Sequence, residues 1–203
     1  MLVERMMPRK LRGFTLTEAA IVLGIVGLIL GAIWVAAAAV YNNLRVSTTS
    51  NQMLQLVQNV RSMHATQQTM DTTLTGTGGA ITMAQAGAIP KDMVDDPINP
   101  AAVRDVWNGD VTFDAATSNG GVLGDSFTIT LPNVPRGACT DILVRNTGAG
   151  RDSGLLRAGA DGGLSTSPAE GGTQFPITVT QAIGYCNGAN DQNTLTFTFA
   201  LKT

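Results

Sequence analysis

One histidine, His64, and two cysteines, Cys139 and Cys186, make up the whole imidazole and thiol inventory of this 203-residue chain. Thiol-based metal sites draw on more cysteines than two, or on histidines beside them. A general base of the commonest kind has no nucleophile to serve in any spacing the sequence offers. Beyond the first thirteen residues there is no basic run, so the positive footprint of a nucleic-acid surface is missing. "GTGG" (Gly76–Gly79) lacks the lysine and flanking strand of a phosphate loop. These absences set enzymes, metalloproteins and nucleic-acid binders aside, and no cofactor is expected.

Charge is also absent from one place in particular. Ala19 to Tyr41 is a run of 23 residues without a charged side chain. That is about the length an α-helix needs to cross a hydrocarbon core ~30 Å thick. Residues 1–13 before it carry a net charge of +3, whereas the chain from Asn42 onward carries −4. Basic flanks favour the cytoplasmic side of a membrane, so the larger, polar portion is expected across the bilayer. The run "VAAAAVY" (Val35–Tyr41) has the small residues of a secretory cleavage site. A plain single-pass anchor would also explain the length. Neither accounts for Glu18, a carboxylate immediately before the run, beside a span at whose bilayer centre a charge costs roughly 2.5–3.5 kcal/mol on insertion scales.

The string "RGFTLTEAAIVLGIVGLILG" (Arg12–Gly31) resembles the prepilin signature of type IV pilins and pseudopilins. The resemblance implies a basic leader, residues 1–13, removed by prepilin peptidase between Gly13 and Phe14 on the cytoplasmic face. It implies N-methylation of the new terminal Phe14, and it makes Glu18 the fifth residue of the mature chain. A free α-amino group has an unperturbed pKa of about 7.7–8 and keeps its charge on methylation. In a dry filament core that cation on one subunit and Glu18 on its neighbour neutralise each other. In this family the pairing sets the stagger between subunits. Gly24, Gly27 and Gly31 are the small residues that let helices approach closely in lipid, and they also weaken the helix locally. Type IVa pilins carry a proline about two turns beyond Gly27; here Val35 stands there, which points to type IVb.

Past the apolar run, Met53, Leu56, Val57, Val60 and Met63/His64 recur at helical spacing. One helix from about Phe14 to about Gln68 is expected, roughly 80 Å long at 1.5 Å per residue. Its transmembrane and assembly half spans 14–41 and its amphipathic half 42–72, with "TLTGTGG" (Thr73–Gly79) closing it. The head, 73–203, is expected to be α+β. A short helix should lie in Ala80–Val94 and turns at "DDPINP" (Asp95–Pro100). Strands are expected in "WNGDVTF" (Trp107–Phe113), "SFTITL" (Ser126–Leu131), "QFPITVT" (Gln174–Thr180) and "TLTFTFALK" (Thr194–Lys202). "GACTDILVR" (Gly137–Arg145) fits either strand or helix, and Pro135 ahead of it favours helix. "AGADGG" (Ala158–Gly163) is expected to be a loop. An antiparallel sheet packed on the long helix is the ladle-like fold that the resemblance implies.

Two cysteines in an exported domain most simply form one disulfide, here Cys139–Cys186 enclosing region 139–186. Such a closure contributes roughly 3–4 kcal/mol on the chain-entropy account. "WNG", "VPRGAC" and "GYCN" (from Trp107, Val134 and Gly184) resemble the type IVb pilins of conjugative thin pili. "NGANDQN" (Asn187–Asn193) has the oxygen donors of a calcium loop, and also those of an ordinary turn. The implied function is that of a pilus subunit. It is stored in the inner membrane, assembled with copies of itself by the membrane platform, and displayed outside the cell for adhesion, aggregation or conjugative mating against a host or recipient surface. A minor pilin or a type II secretion pseudopilin shares the signature. An uncleaved, membrane-anchored binding protein would use the span alone.

Overall fold

The computed structural model describes residues 15–96, 98–161, 163–168, 171–172 and 175–202. They form two compact units, divided between Tyr41 and Asn42. Helix α1, Leu16–Met63, is 48 residues long. Through Tyr41 every described residue is exposed, and this segment is long and apolar enough to cross a membrane. Within the second unit one face of α1 is buried: Val46, Thr49, Gln52, Met53, Leu56, Val57 and Val60. This i, i+3, i+4, i+7 pattern is the amphipathic half expected from the sequence.

The helix ends at Met63, short of the expected Gln68. Met63 is 43% exposed, so the buried stripe stops at Val60. A further turn would have had no packing to support it. His64 lies half-buried just past the end, its Nδ1 2.9 Å from the Val60 carbonyl oxygen, a capping position. Gly76–Gly79 does not close α1 but forms the first turn of α2, Gly76–Gln85.

The head's sheet has five antiparallel strands in the order β1-β2-β5-β3-β4. They are β1 Thr112–Ala116, β2 Ser126–Pro135, β3 Leu155–Ala160, β4 Gly163–Thr166 and β5 Gln192–Ala200. Along β2 and β5 the alternation is plain. Phe127, Ile129, Leu131, Leu195, Phe197 and Phe199 are buried in the same core as the α1 stripe, while Thr128, Thr130, Thr194 and Thr196 are half-buried on the other face. Phe127 stacks on Phe113 at 5.4 Å and on Phe199 at 5.8 Å between ring centroids, a cross-strand aromatic ladder.

Three expectations fail here. "AGADGG" is not a loop: Ala158–Ala160 end β3 and Gly163 opens β4, and in that hairpin Gly159 faces Leu164 and Ala158 faces Ser165. "QFPITVT" is not a strand. Of its described part, Phe175–Thr178 is irregular and Val179 begins helix α4, Val179–Tyr185. There Thr178 and Gln181 form a reciprocal capping box, which outweighs the β-branched alternation. The helix expected within Ala80–Val94 is α2, which begins four residues earlier. "GACTDILVR" lies in α3, Arg136–Thr147, the helix that Pro135 favours. Cys139 on α3 and Cys186 at the end of α4 are disulfide-bonded with their Cα atoms 6.0 Å apart.

Two features of the head lead to tests. The chain before α2 covers the free edge of β1: the Ala115 N–H donates to the Leu74 carbonyl at 2.9 Å, and the Gly76 N–H donates to Asp114 Oδ1 at 2.7 Å. Gly79 lies so close that a Cβ there would collide with the Phe113 carbonyl oxygen. Gly79→Ala should therefore cost about 1–3 kcal/mol, the usual penalty of overpacking, seen as a lowered denaturation midpoint.

Asp105 is 7% exposed. Burial pushes its carboxyl above the ordinary range, against hydrogen bonds from the Gly109 and Trp107 N–H groups and the nearby Arg45 charge; Asp110 adds to the rise. With the folded pKa raised, this group's contribution is fully present below the unfolded value, about 3.9. It is lost as pH rises through the folded value. Asp71, Asp95 and Asp125 are shifted down and act in the opposite sense. The difference between variant and wild type isolates Asp105. In thermal melts, the advantage of Asp105→Asn over wild type should grow between pH 4 and pH 7.

Candidate assembly surface

At its N-terminal end α1 is organised by Thr15. The Thr15 hydroxyl accepts the Glu18 backbone N–H at 3.3 Å, the contact made by an N-cap residue. Glu18 lies in the first turn, where the helix dipole favours a carboxylate. The T-x-x-E spacing of Thr15 and Glu18 is a capping-box signature that the sequence reading passed over in favour of the longer motif. Glu18 is exposed and is the only charged side chain between Thr15 and Tyr41. Gly24, Gly27 and Gly31 fall at i, i+3 and i+7, on one face of the helix. A Cβ built at any of them would meet nothing within 4 Å. Packing within the subunit therefore does not require glycine at these positions. Gly13 and Phe14, the expected cleavage and methylation positions, lie outside the described residues.

The head offers no comparable convergence. Its carboxylates hold the fold together one at a time. Asp95 Oδ1 accepts the N–H groups of Asp96, Ala101 and Ala102, and these bonds lower its pKa, that from Ala102 most. Asp71 accepts from Thr73 through backbone and hydroxyl, and is lowered for that reason. At Asp125 burial acts upward, yet the Ser118 hydroxyl and N–H and the Val122 N–H bring the net shift down. Asp152 receives Arg61 in a two-pronged pair at 2.9 and 2.8 Å, while Arg61 Nε also reaches the Ala200 carbonyl. This tie between α1 and β5 had no signal in local sequence.

In the 187–193 loop, Asp191 Oδ1 accepts the Arg136 N–H at the start of α3. The Asn193 side chain bridges Gly188 N–H and the Val134 carbonyl. These oxygens are thus engaged within the head. Among the described residues no group of three or more His, Cys, Asp or Glu side chains converges as a metal site. A polar cleft of about 340 Å³ borders Asn42, Asn43, Gly137, Asp141 and Asp191, and neither a thiol nor an imidazole lines it.

Comparison with known proteins agrees with this picture. Residues 43–200 match the family described as PilS N terminal. The crystal structure of the type IVb pilin from Salmonella typhi is similar at a TM-score of 0.53 and 26% identity, covering 73% of this chain and 94% of that one. The crystal structure of TcpA, a type IV pilin from Vibrio cholerae El Tor biotype, is similar at a TM-score of 0.53 and 10% identity, covering 77% and 99%, a likeness of fold. No curated protein sequence matches. With most of its length matched by that family, and a long apolar helix leading into a disulfide-bonded α+β head, the chain belongs to the PilS family of type IVb pilins and is a structural subunit of a pilus.

Proposed function

We propose that the chain is made as a precursor, cleaved between Gly13 and Phe14 by prepilin peptidase, and N-methylated at Phe14. It is then held in the inner membrane by the apolar half of α1 until the assembly platform extracts it into a helical homopolymer outside the cell. The observation that carries the reading is the exposed segment from Leu16 to Tyr41 with Glu18 as its single charge. In a bilayer that surface is solvated by lipid; in a filament, copies of the same helix cover it, and Gly24, Gly27 and Gly31 allow their close approach. Glu18 then meets the neighbour's terminal ammonium, and breaking such a buried pair typically costs about 3–5 kcal/mol. The protein acts by assembling, without catalysing a reaction. Adhesion, aggregation or conjugative mating are properties of the filament surface formed by the heads.

The test is Glu18→Ala in the native host. The variant should be processed like wild type and accumulate in membranes, while sheared filaments fall below a tenth of the wild-type yield. Normal piliation in the variant would remove the pairing from the account. It would favour an uncleaved anchor if the leader were also retained.

A further inference from the structure

Asparagine stands directly before glycine three times in the head, at Asn108–Gly109, Asn119–Gly120 and Asn187–Gly188. Such a pair is open to one reaction in particular, attack of the glycine's backbone nitrogen on the asparagine Cγ. Glycine hinders that approach least because it has no Cβ. In a folded chain the nitrogen must also be free of hydrogen bonds and the glycine must have room to move. The fold therefore decides which of the three pairs reacts.

Two of the pairs are held shut. The Gly109 N–H donates to Asp105 Oδ1 at 2.7 Å and the Gly188 N–H to Asn193 Oδ1 at 2.9 Å, and both acceptor residues are buried. Both glycines are also packed tightly against backbone, Gly109 at the Pro132 carbonyl oxygen and Gly188 at that of Gln192. The third pair is open. Asn119 and Gly120 are exposed, and a Cβ built on Gly120 would meet nothing within 4 Å. Among the described residues the Gly120 N–H has no hydrogen-bond partner. The turn they occupy is closed by one backbone bond, from the Gly121 N–H to the Ser118 carbonyl at 3.0 Å, at the surface where local opening costs little.

We infer that Asn119 is a site of spontaneous self-modification, converted to aspartate and isoaspartate by way of a succinimide. The Gly120 nitrogen gives its proton to solvent and bonds to Asn119 Cγ. The Cγ–Nδ2 bond breaks, and the side-chain nitrogen leaves as ammonia. Water then opens the ring at either carbonyl. Opening at Cγ gives aspartate; opening at the backbone carbonyl gives isoaspartate, with the chain routed through Cγ. The net change is water in and ammonia out, with nothing oxidised or reduced. Either product puts a new carboxylate into the stretch Ser118–Val122, which Asp125 clamps through the Ser118 N–H and hydroxyl and the Val122 N–H. Like charges at close range disfavour one another, and isoaspartate also lengthens the backbone. The loop that exposes Val122 and Leu123 thus gains a negative charge and loosens as the protein ages. This is a property of the head and does not depend on the filament reading.

The test is peptide mapping by mass spectrometry of the full chain in detergent micelles, aged in neutral buffer made with heavy-oxygen water. The same chain is aged unfolded in denaturant alongside it. In the folded protein, Asn119 should gain one solvent oxygen in place of an NH group, with isoaspartate among the products. It should run about tenfold or more ahead of Asn108 and Asn187, the protection that one hydrogen bond of ordinary strength confers. Unfolded, the three sites should react at comparable rates. Asn119→Gln should reduce the change at that position to background, because glutamine closes only the less favoured six-membered ring, and Gly120→Ala should slow it. The assignment is overturned by an inert Asn119 in the folded protein while the unfolded chain reacts there, or by Asn108 or Asn187 keeping pace with it. Aspartate without isoaspartate, or the same preference persisting in denaturant, would overturn it equally.

Discussion

A helix segment of some twenty-five residues that is apolar on every side has to be taken out of water, and this requirement shapes the rest of the molecule. From Leu16 to Tyr41 α1 buries nothing within its own chain, so its surroundings must come from lipid or from other copies. Neither solvent would select for Glu18 by hydrophobicity. A carboxylate at the start of such a helix is tolerated because the first turn's N–H groups favour it, and in the proposed filament its partner is a cation from a neighbouring subunit.

The second half of the same helix solves a different problem. Its stripe from Val46 to Val60 is the floor of the head's core, against which Phe113, Phe127, Phe197 and Phe199 are layered. The sheet's connectivity is non-local. β5, last in sequence, lies at the centre between β2 and β3, so the end of the chain must arrive before the sheet is complete. The Cys139–Cys186 bond and the Arg61–Asp152 pair then fasten the region between β2 and β5. That region is part of the core: Ile142, Leu143 and Leu155 are buried with the α1 stripe, and Asn146 on α3 donates to the Ser50 hydroxyl on α1.

How much of this was legible in the sequence follows from the range of the interactions involved. The uncharged run, the α1 stripe and the alternation of β2 and β5 are local patterns. Each was readable because its period or spacing is its cause. β3 and β4 were not readable: Ala158, Gly159, Ala160 and Gly163 have little strand preference, and they pair because β5 offers an edge in register. α4 did have a signal, Thr178 with Gln181, but the neighbouring β-branched residues masked it. Arg61 with Asp152 and Gln52 with Asp92 join residues far apart in the chain, and no spacing rule finds such partners. At the candidate assembly surface the motif pointed to Glu18 and the glycines, while Thr15, the residue that caps Glu18's own helix turn, became visible only in the fold.

The most direct measurement of the central claim is the intact mass of this protein from its native host, taken separately from material sheared off the cells and from washed membranes. A filament subunit gives a sheared species lacking residues 1–13, heavier by one methyl group and lighter by the two hydrogens of the disulfide. An uncleaved chain found only in the membranes of a host with active prepilin peptidase would contradict the account, because the apolar helix would then be an anchor and nothing more.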